Sequence, residues 1–299
     1  MNLRFSGAYQ VRVLRPDGSV RLETDFFDNL ITDQGLNVYG AIGTAGRLWV
    51  TTGTTPPSNT DTALSGTILG SSPAGALTNS VQYATLPNYA EQTMTFTFAV
   101  GGVVGTITEV GLGAGTDSTV TTLFSRALIA NSGGTPISIT LTATDQLQLV
   151  YKIRNYIPDA DVIASMDVNG VSTQLTVRPS EIDDASAWWA YPAGMSFSDA
   201  STRAYTGAIG ARTATPAGTG IAISSSVYAA YVAGTYARSF SLIWLPAKGA
   251  FTALSVRIFP NAAYNPIGCW QIGLSPSIVK TSLQTLRIEG QFSWGRYVP

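Results

Sequence analysis

The chain contains no histidine and a single cysteine, and only 12% of its 299 residues are charged. Without histidine, the side chain that most often serves as general base near neutral pH and as metal ligand is missing, so serine-triad, zinc and facial-triad chemistries each lose a required part. Cys269 cannot form an internal disulfide. It lies in the apolar run Ile267–Ile272, where it reads as a small buried hydrophobe, and a fold made without disulfides suits a reducing cytoplasm. Lysine occurs only at Lys152, Lys248 and Lys280 and arginines are scattered, so no basic stripe exists to neutralise phosphates and nucleic acid is not an expected partner. No run approaches the ~20 apolar residues of a membrane helix, so membrane insertion is not expected either. Met1–Phe5 has no continuous apolar segment behind it, and no secretory signal is expected there.

What is present is alternation. Met94, Phe96 and Phe98 alternate with Thr93, Thr95 and Thr97; Ile137, Ile139 and Leu141 alternate with Ser138, Thr140 and Thr142; and Leu147 to Ile153 repeat the pattern. Successive strand side chains point to opposite faces, so each strand is greasy on one side and polar on the other, the first two with hydroxyls and the third with Gln146, Gln148, Lys152 and Arg154. The stretch from Thr93 to Ile157 therefore reads as a β-meander almost without charge. Lone domains keep themselves dispersed with charged surfaces, whereas Thr and Ser faces at a net charge of −1 suggest a surface that meets other protein.

At the start, Tyr9, Val11 and Val13 predict a strand, Arg15-Pro16-Asp17-Gly18 a turn, and Val20 and Leu22 the returning strand. One short helix is predicted from Thr32 to Ile42, with Thr32 as N-cap and Leu36, Tyr39 and Ile42 on one face. Thr54 to Asp61, with Pro56-Pro57, predicts an extended surface loop. Asn169-Gly170 predicts a second hairpin turn. After Pro179 to Asp184 the texture changes to Ala, Ser and aromatic-rich runs, six of them, punctuated by Pro and Gly. The expectation is an all-β chain of two β-sandwich, jelly-roll-like domains, 1–184 and 185–299, with at most one or two short helices.

Several constellations resemble chemistry without completing it. Gly111-Leu112-Gly113-Ala114-Gly115 follows a strand, but its third glycine is one place early and no helix follows to hold a pyrophosphate, so a β-turn is predicted and no cofactor. Asp159/Asp161 and Glu181, Asp183 and Asp184 flank prolines in connectors and read as solvated loop charges, so no catalytic residue and no metal ligand is assigned. Trp244, Trp270 and Trp294 lie in apolar runs and read as core. Trp188, Trp189 and Tyr191, beside a connector, are the candidates for glycan or partner contact.

The ordered phrases Phe27 to Leu36, Thr51 to Pro57, Asp61 to Leu64, Ile107 to Leu112 and Leu123 to Ile129 resemble a module of tailed-bacteriophage virion proteins. The later phrases Tyr205 to Gly210, Lys280-Thr281 and Ser293 to Tyr297 resemble downstream parts of the same proteins. The resemblance implies a non-enzymatic structural component of the virion, of tail-fibre, baseplate or collar type, made in the host bacterial cytoplasm. Other virion proteins are its implied partners, and the fibre analogy favours a homotrimer. The alternative is a host-receptor protein that binds a surface glycan through its later aromatics.

Overall fold

The computed structural model describes residues 1–41, 44–168, 170–261 and 265–298. Its first half runs through β1 (Asn2–Leu14), β2 (Val20–Glu23), β3 (Phe27–Asp28), β4 (Leu30–Ile31), α1 (Asp33–Gly40), β5 (Arg47–Thr51), β6 (Ile68–Pro73), β7 (Leu77–Gln82), β8 (Tyr89–Thr97), β9 (Gly105–Ile107), β10 (Glu109–Gly115), β11 (Val120–Leu128), β12 (Ile139–Leu141) and β13 (Gln146–Tyr156). Its second half adds β14 (Val162–Val168), β15 (Val171–Pro179), β16 (Arg203–Tyr205), β17 (Gly220–Ala222), β18 (Ser225–Tyr228), β19 (Ala237–Trp244), β20 (Phe251–Ile258), β21 (Trp270–Lys280) and β22 (Leu286–Arg296), with a 3₁₀ turn at Pro246–Lys248. With 51% of residues in strands and 4% in helix, the fold is all-β.

The predicted N-terminal hairpin forms, with Gly18 at φ 80° where other residues are strained, and a bulge at Val13/Leu14. Thr32 caps the one helix: its Oγ1 accepts from Gly35 N at 2.9 Å and donates to Leu123 O at 2.6 Å, so the same hydroxyl ties the helix start to β11. Leu36 and Tyr39 are buried as their spacing predicts. Ile42, expected as the last residue of that face, and Asn169, expected at the second hairpin turn, lie outside the described residues. Gly170 takes φ 79° between β14 and β15.

Two expectations about organisation need correction. The Thr93–Ile157 stretch is not a meander. β8 pairs with β13, β9 with β12 and β10 with β11, so the hairpins are nested, and the segments are shared among three sheets. Alternation fixes which face of a strand is buried and says nothing about which strand lies beside it. Nor do the sheets divide at residue 184. The largest sheet runs β18-β19-β22-β1-β13-β8-β7, and a second runs β14-β15-β21-β20-β16-β17, so each draws strands from both sides of that boundary. The joint is a parallel pairing of β1 with β22, Leu3 opposite Trp294. A five-stranded sheet, β4-β11-β10-β5-β6, packs on the large one, where Tyr9 of β1 meets Ser125 of β11 at 2.8 Å inside the core. A single hydrophobic cluster extends from Leu3 to Trp294.

Candidate interaction site

The five-stranded sheet carries two charges in its interior. Glu109 opens β10 and is fully buried, and Arg126 on β11 is 2% exposed. Taking charges out of water costs several kcal/mol per ion, so each needs partners. Arg126 pairs with Glu109 through Nη2 and with Asp61 through Nη1 at 2.6 Å, and donates to Thr55 O at 2.8 Å. Glu109 also accepts from the Thr51 hydroxyl at 2.5 Å and from Ser65 N at 3.0 Å. The partners on the other side of the network, Thr55, Asp61 and Ser65, belong to the loop joining β5 to β6. Gly53 crosses directly over the carboxylate, where a Cβ would run into Glu109 and Ser65. The loop is held again at Asp33 N, which donates to Asn59 O at 2.7 Å beside the start of α1.

The segment around Pro56 is thereby exposed yet anchored at both ends from below. Beside it runs a groove of about 450 Å³ lined by Phe26, Phe27, Pro56, Pro57, Leu128 and Pro136. Phe26 also walls a second cleft of about 400 Å³, with Ser6, Asn29, Lys152, Arg154, Tyr156 and Tyr297. On its floor, alternate residues of β13 face outward, and an aromatic row crosses the sheet. Tyr297 stacks on Tyr156 with centroids 3.5 Å apart, and Tyr156 meets Tyr89 at 5.9 Å. Arg154 lies 4.3 Å over the Tyr89 ring and Lys152 4.4 Å over Phe26, while Glu91 accepts from Arg154 at 2.8 Å. Rings whose faces take cations in a polar cleft form a surface suited to ligands with both apolar and hydroxyl groups.

The candidates from sequence fare differently. Trp188 is core, not a contact residue: it is fully buried, its Nε1 donates to Ser180 O at 2.8 Å, and Gly268 leaves the space its ring fills. Trp189 and Tyr191 are half-buried and line neither cleft. Trp189 donates from Nε1 to Ser186 O at 3.1 Å, and its carbonyl accepts from Asn155. Trp244, Trp270 and Trp294 are buried as predicted. Gly111 to Gly115 is no turn but the strand β10, with register shifts after Leu112 and Ala114. A Cβ at Gly111 would meet Leu64 of the braced loop.

The acidic connectors are only partly solvated. Asp183 and Asp184 are exposed. Asp161, however, is paired with Arg178 at 2.6 Å, whose hydrogen bonds hold its carboxyl below the usual range. Glu181 pairs with Arg257 at 2.6 Å and accepts from Cys269 Sγ at 2.9 Å. Among the described residues, no group of three or more His, Cys, Asp or Glu is placed to hold a metal ion. Among them too, no helix is long and apolar enough to cross a membrane.

Burial, reinforced by the Glu181 charge, pushes the Cys269 thiol well above its ordinary value of 9.0. Burial likewise raises the phenols of Tyr9 and Tyr39, and pushes Tyr151 from 10.0 to about 12. Groups with raised folded values contribute full stability below their unfolded values and lose it as pH climbs toward the folded ones. Stability should therefore be flat through neutrality and fall above about pH 9. In the same samples a disulfide reagent should leave native Cys269 untouched at pH 8 and label it fully in denaturant. Rapid native labelling, or a melting temperature unchanged up to pH 11, would contradict the burial of these groups.

Sequence reasoning passed over Glu109 and Arg126 as a pair. The signal was available: in a chain so poor in charge, one acid and one base each interrupt an apolar strand run, Ile107–Leu112 and Leu123–Ile129. No family model matches the chain, and neither a curated protein nor a solved structure matches it.

Proposed function

We propose that this chain is a non-enzymatic structural component of a tailed-phage particle, attached at the tail or neck as part of a fibre, baseplate or collar. It would act by packing against other virion proteins after assembly in the bacterial cytoplasm. The observation that carries this reading is convergence. The phrases Thr51–Pro57, Asp61–Leu64, Ile107–Leu112 and Leu123–Ile129, far apart in the chain, meet at the Glu109–Arg126–Asp61 network. There the fold spends its buried charge on bracing a surface loop. A loop fixed in advance loses little conformational freedom on docking, which is what a contact repeated around a symmetric particle requires. Single hydroxyl or cross-strand contacts contribute only ~0.2–1 kcal/mol, so attachment would rest on many of them.

The test is a density map of purified particles that carry the chain. The Pro56-Pro57 loop and the Phe26 groove are expected against a neighbouring protein of the tail or neck. Density placing the chain away from every other virion protein would overturn the reading.

The glycan-binding alternative draws support from the second cleft, which moves its candidate residues from Trp188, Trp189 and Tyr191 to Tyr156 and Tyr297. Binding of the purified protein to host surface glycans, lost in Tyr156→Ala and Tyr297→Ala, would favour it over purely structural packing.

A further inference from the structure

The hairpin β14–β15 ends one side of the six-stranded sheet, and β14 is its terminal strand. Val162 to Ser165 are four consecutive exposed residues, with Val162 51% and Ile163 58% accessible. Terminal strands are normally protected from pairing with other chains by lysine, proline, a bulge or a covering loop. β14 contains no lysine, arginine or proline; its one charge is Asp167, and its register with β15 is uninterrupted. Among the described residues, no backbone hydrogen bond outside the β14–β15 ladder engages this edge.

We infer that β14 pairs antiparallel with the β14 of a second copy of this chain, about a two-fold axis at Ser165. In an antiparallel ladder, alternate residues direct their N–H and C=O toward the neighbour and away from it. Val168 and Val171 close the hairpin as a pair across a two-residue connection, so counting back along β14 leaves the backbone groups of Ile163, Ser165 and Asp167 on the open edge. Centred on Ser165, each of these meets an outward-facing partner: Ser165 faces its own copy, and Ile163 faces Asp167. All seven residues of the strand then pair, with about six new backbone hydrogen bonds.

Charge disfavours two neighbouring registers. Centred on Ala164, Asp167 would face Asp161 of the copy, and centred on Asp167 it would face itself, whereas at Ser165 no two carboxylates meet. At a net charge of −1, the two copies as wholes repel weakly. The apolar sides of the hairpins, Val162, Ala164, Met166 and Val168, come to lie on one continuous face across the axis. A two-fold pair is closed and leaves neither β14 edge free, so this contact makes a dimer in place of the trimer suggested by fibre analogy. The inference concerns copies of this chain and does not rest on the virion reading.

The test uses sedimentation of the full chain over a wide dilution series. Wild type is expected to be a dimer. Ser165→Pro should raise the dissociation constant at least about tenfold, because the N–H it removes points outward and its ring enters the partner strand, while the internal ladder is kept. Its circular dichroism and cooperative melt should match wild type. Ser165→Cys should cross-link to itself on oxidation, since paired residues there bring Cα atoms about 5.5 Å apart, and Ala164→Cys should not. Ile163→Asp, which leaves the backbone unchanged and sets a carboxylate opposite Asp167 of the copy at both ends of the pair, should also dissociate it if Ser165→Pro fails to fold. A wild type that is monomeric throughout, a dimer that survives Ile163→Asp, or cross-linking through Ala164→Cys in preference to Ser165→Cys would each overturn the inference.

Discussion

Arg126→Met should destabilise the protein by about 3–5 kcal/mol, because it leaves the Glu109 carboxylate buried without its cation. Met nearly fills the volume of the arginine stem, so a cavity is not the cause, and the loss would be electrostatic. The companion measurement is the double variant Glu109→Leu, Arg126→Met. Removing both charges together removes the uncompensated ion, so the double variant should be more stable than Arg126→Met alone, against the additivity expected of independent sites. Denaturant unfolding of wild type, both single variants and the double variant decides it. Simple addition of the two losses would mean that the buried pair is not energetically coupled. Limited proteolysis carries the second readout: in Arg126→Met the loop holding Thr55, Asp61 and Ser65 loses its anchor and should be cut first, while the rest of the chain stays resistant.

Trp294→Ala should cost a similar ~3–5 kcal/mol, for a different reason. The ring is 3% exposed, lies 5.8 Å from Phe292 and 5.5 Å from Tyr231, and its Nε1 donates to Leu36 O at 2.7 Å. It therefore joins β22 to α1 across the width of the chain, beside the place where β22 pairs in parallel with β1. Removing it opens a cavity at the seam between the first and last strands, and the whole molecule should melt as one unit at lower temperature. Trp294→Phe retains most of the packing and loses the hydrogen bond, so it should cost only about 1–3 kcal/mol. A variant Trp294→Ala with two separate transitions, one of them unshifted, would show that the halves are stabilised independently.

The residues that disclosed themselves in the sequence did so through local rules. The N-cap at Thr32, the Pro16–Gly18 turn, the buried faces of β1 and β13 and the buried Trp244, Trp270 and Trp294 all follow from hydrogen-bonding chemistry, backbone preference or period within about ten residues. Trp188 misled because its neighbours in sequence are small and lie in a connector, whereas its neighbours in space are Trp270 and Gly268. The candidate site was half visible: its phrases stood out as phrases, but nothing in them said that Glu109 and Arg126 face each other.

By itself, then, the sequence determined the all-β class, the single short helix, the positions of most turns and which face of each strand is buried, because these depend on contacts between near neighbours in the chain. Tertiary structure alone decided the nesting of the hairpins, the pairing of β1 with β22 that unites the two halves, and the meeting of Asp61, Glu109 and Arg126 beneath an exposed loop. Each of these is a choice of partner across many residues, made by the packing of a shared core and the cost of leaving a buried charge or strand edge unpaired. No periodicity along the chain encodes that choice.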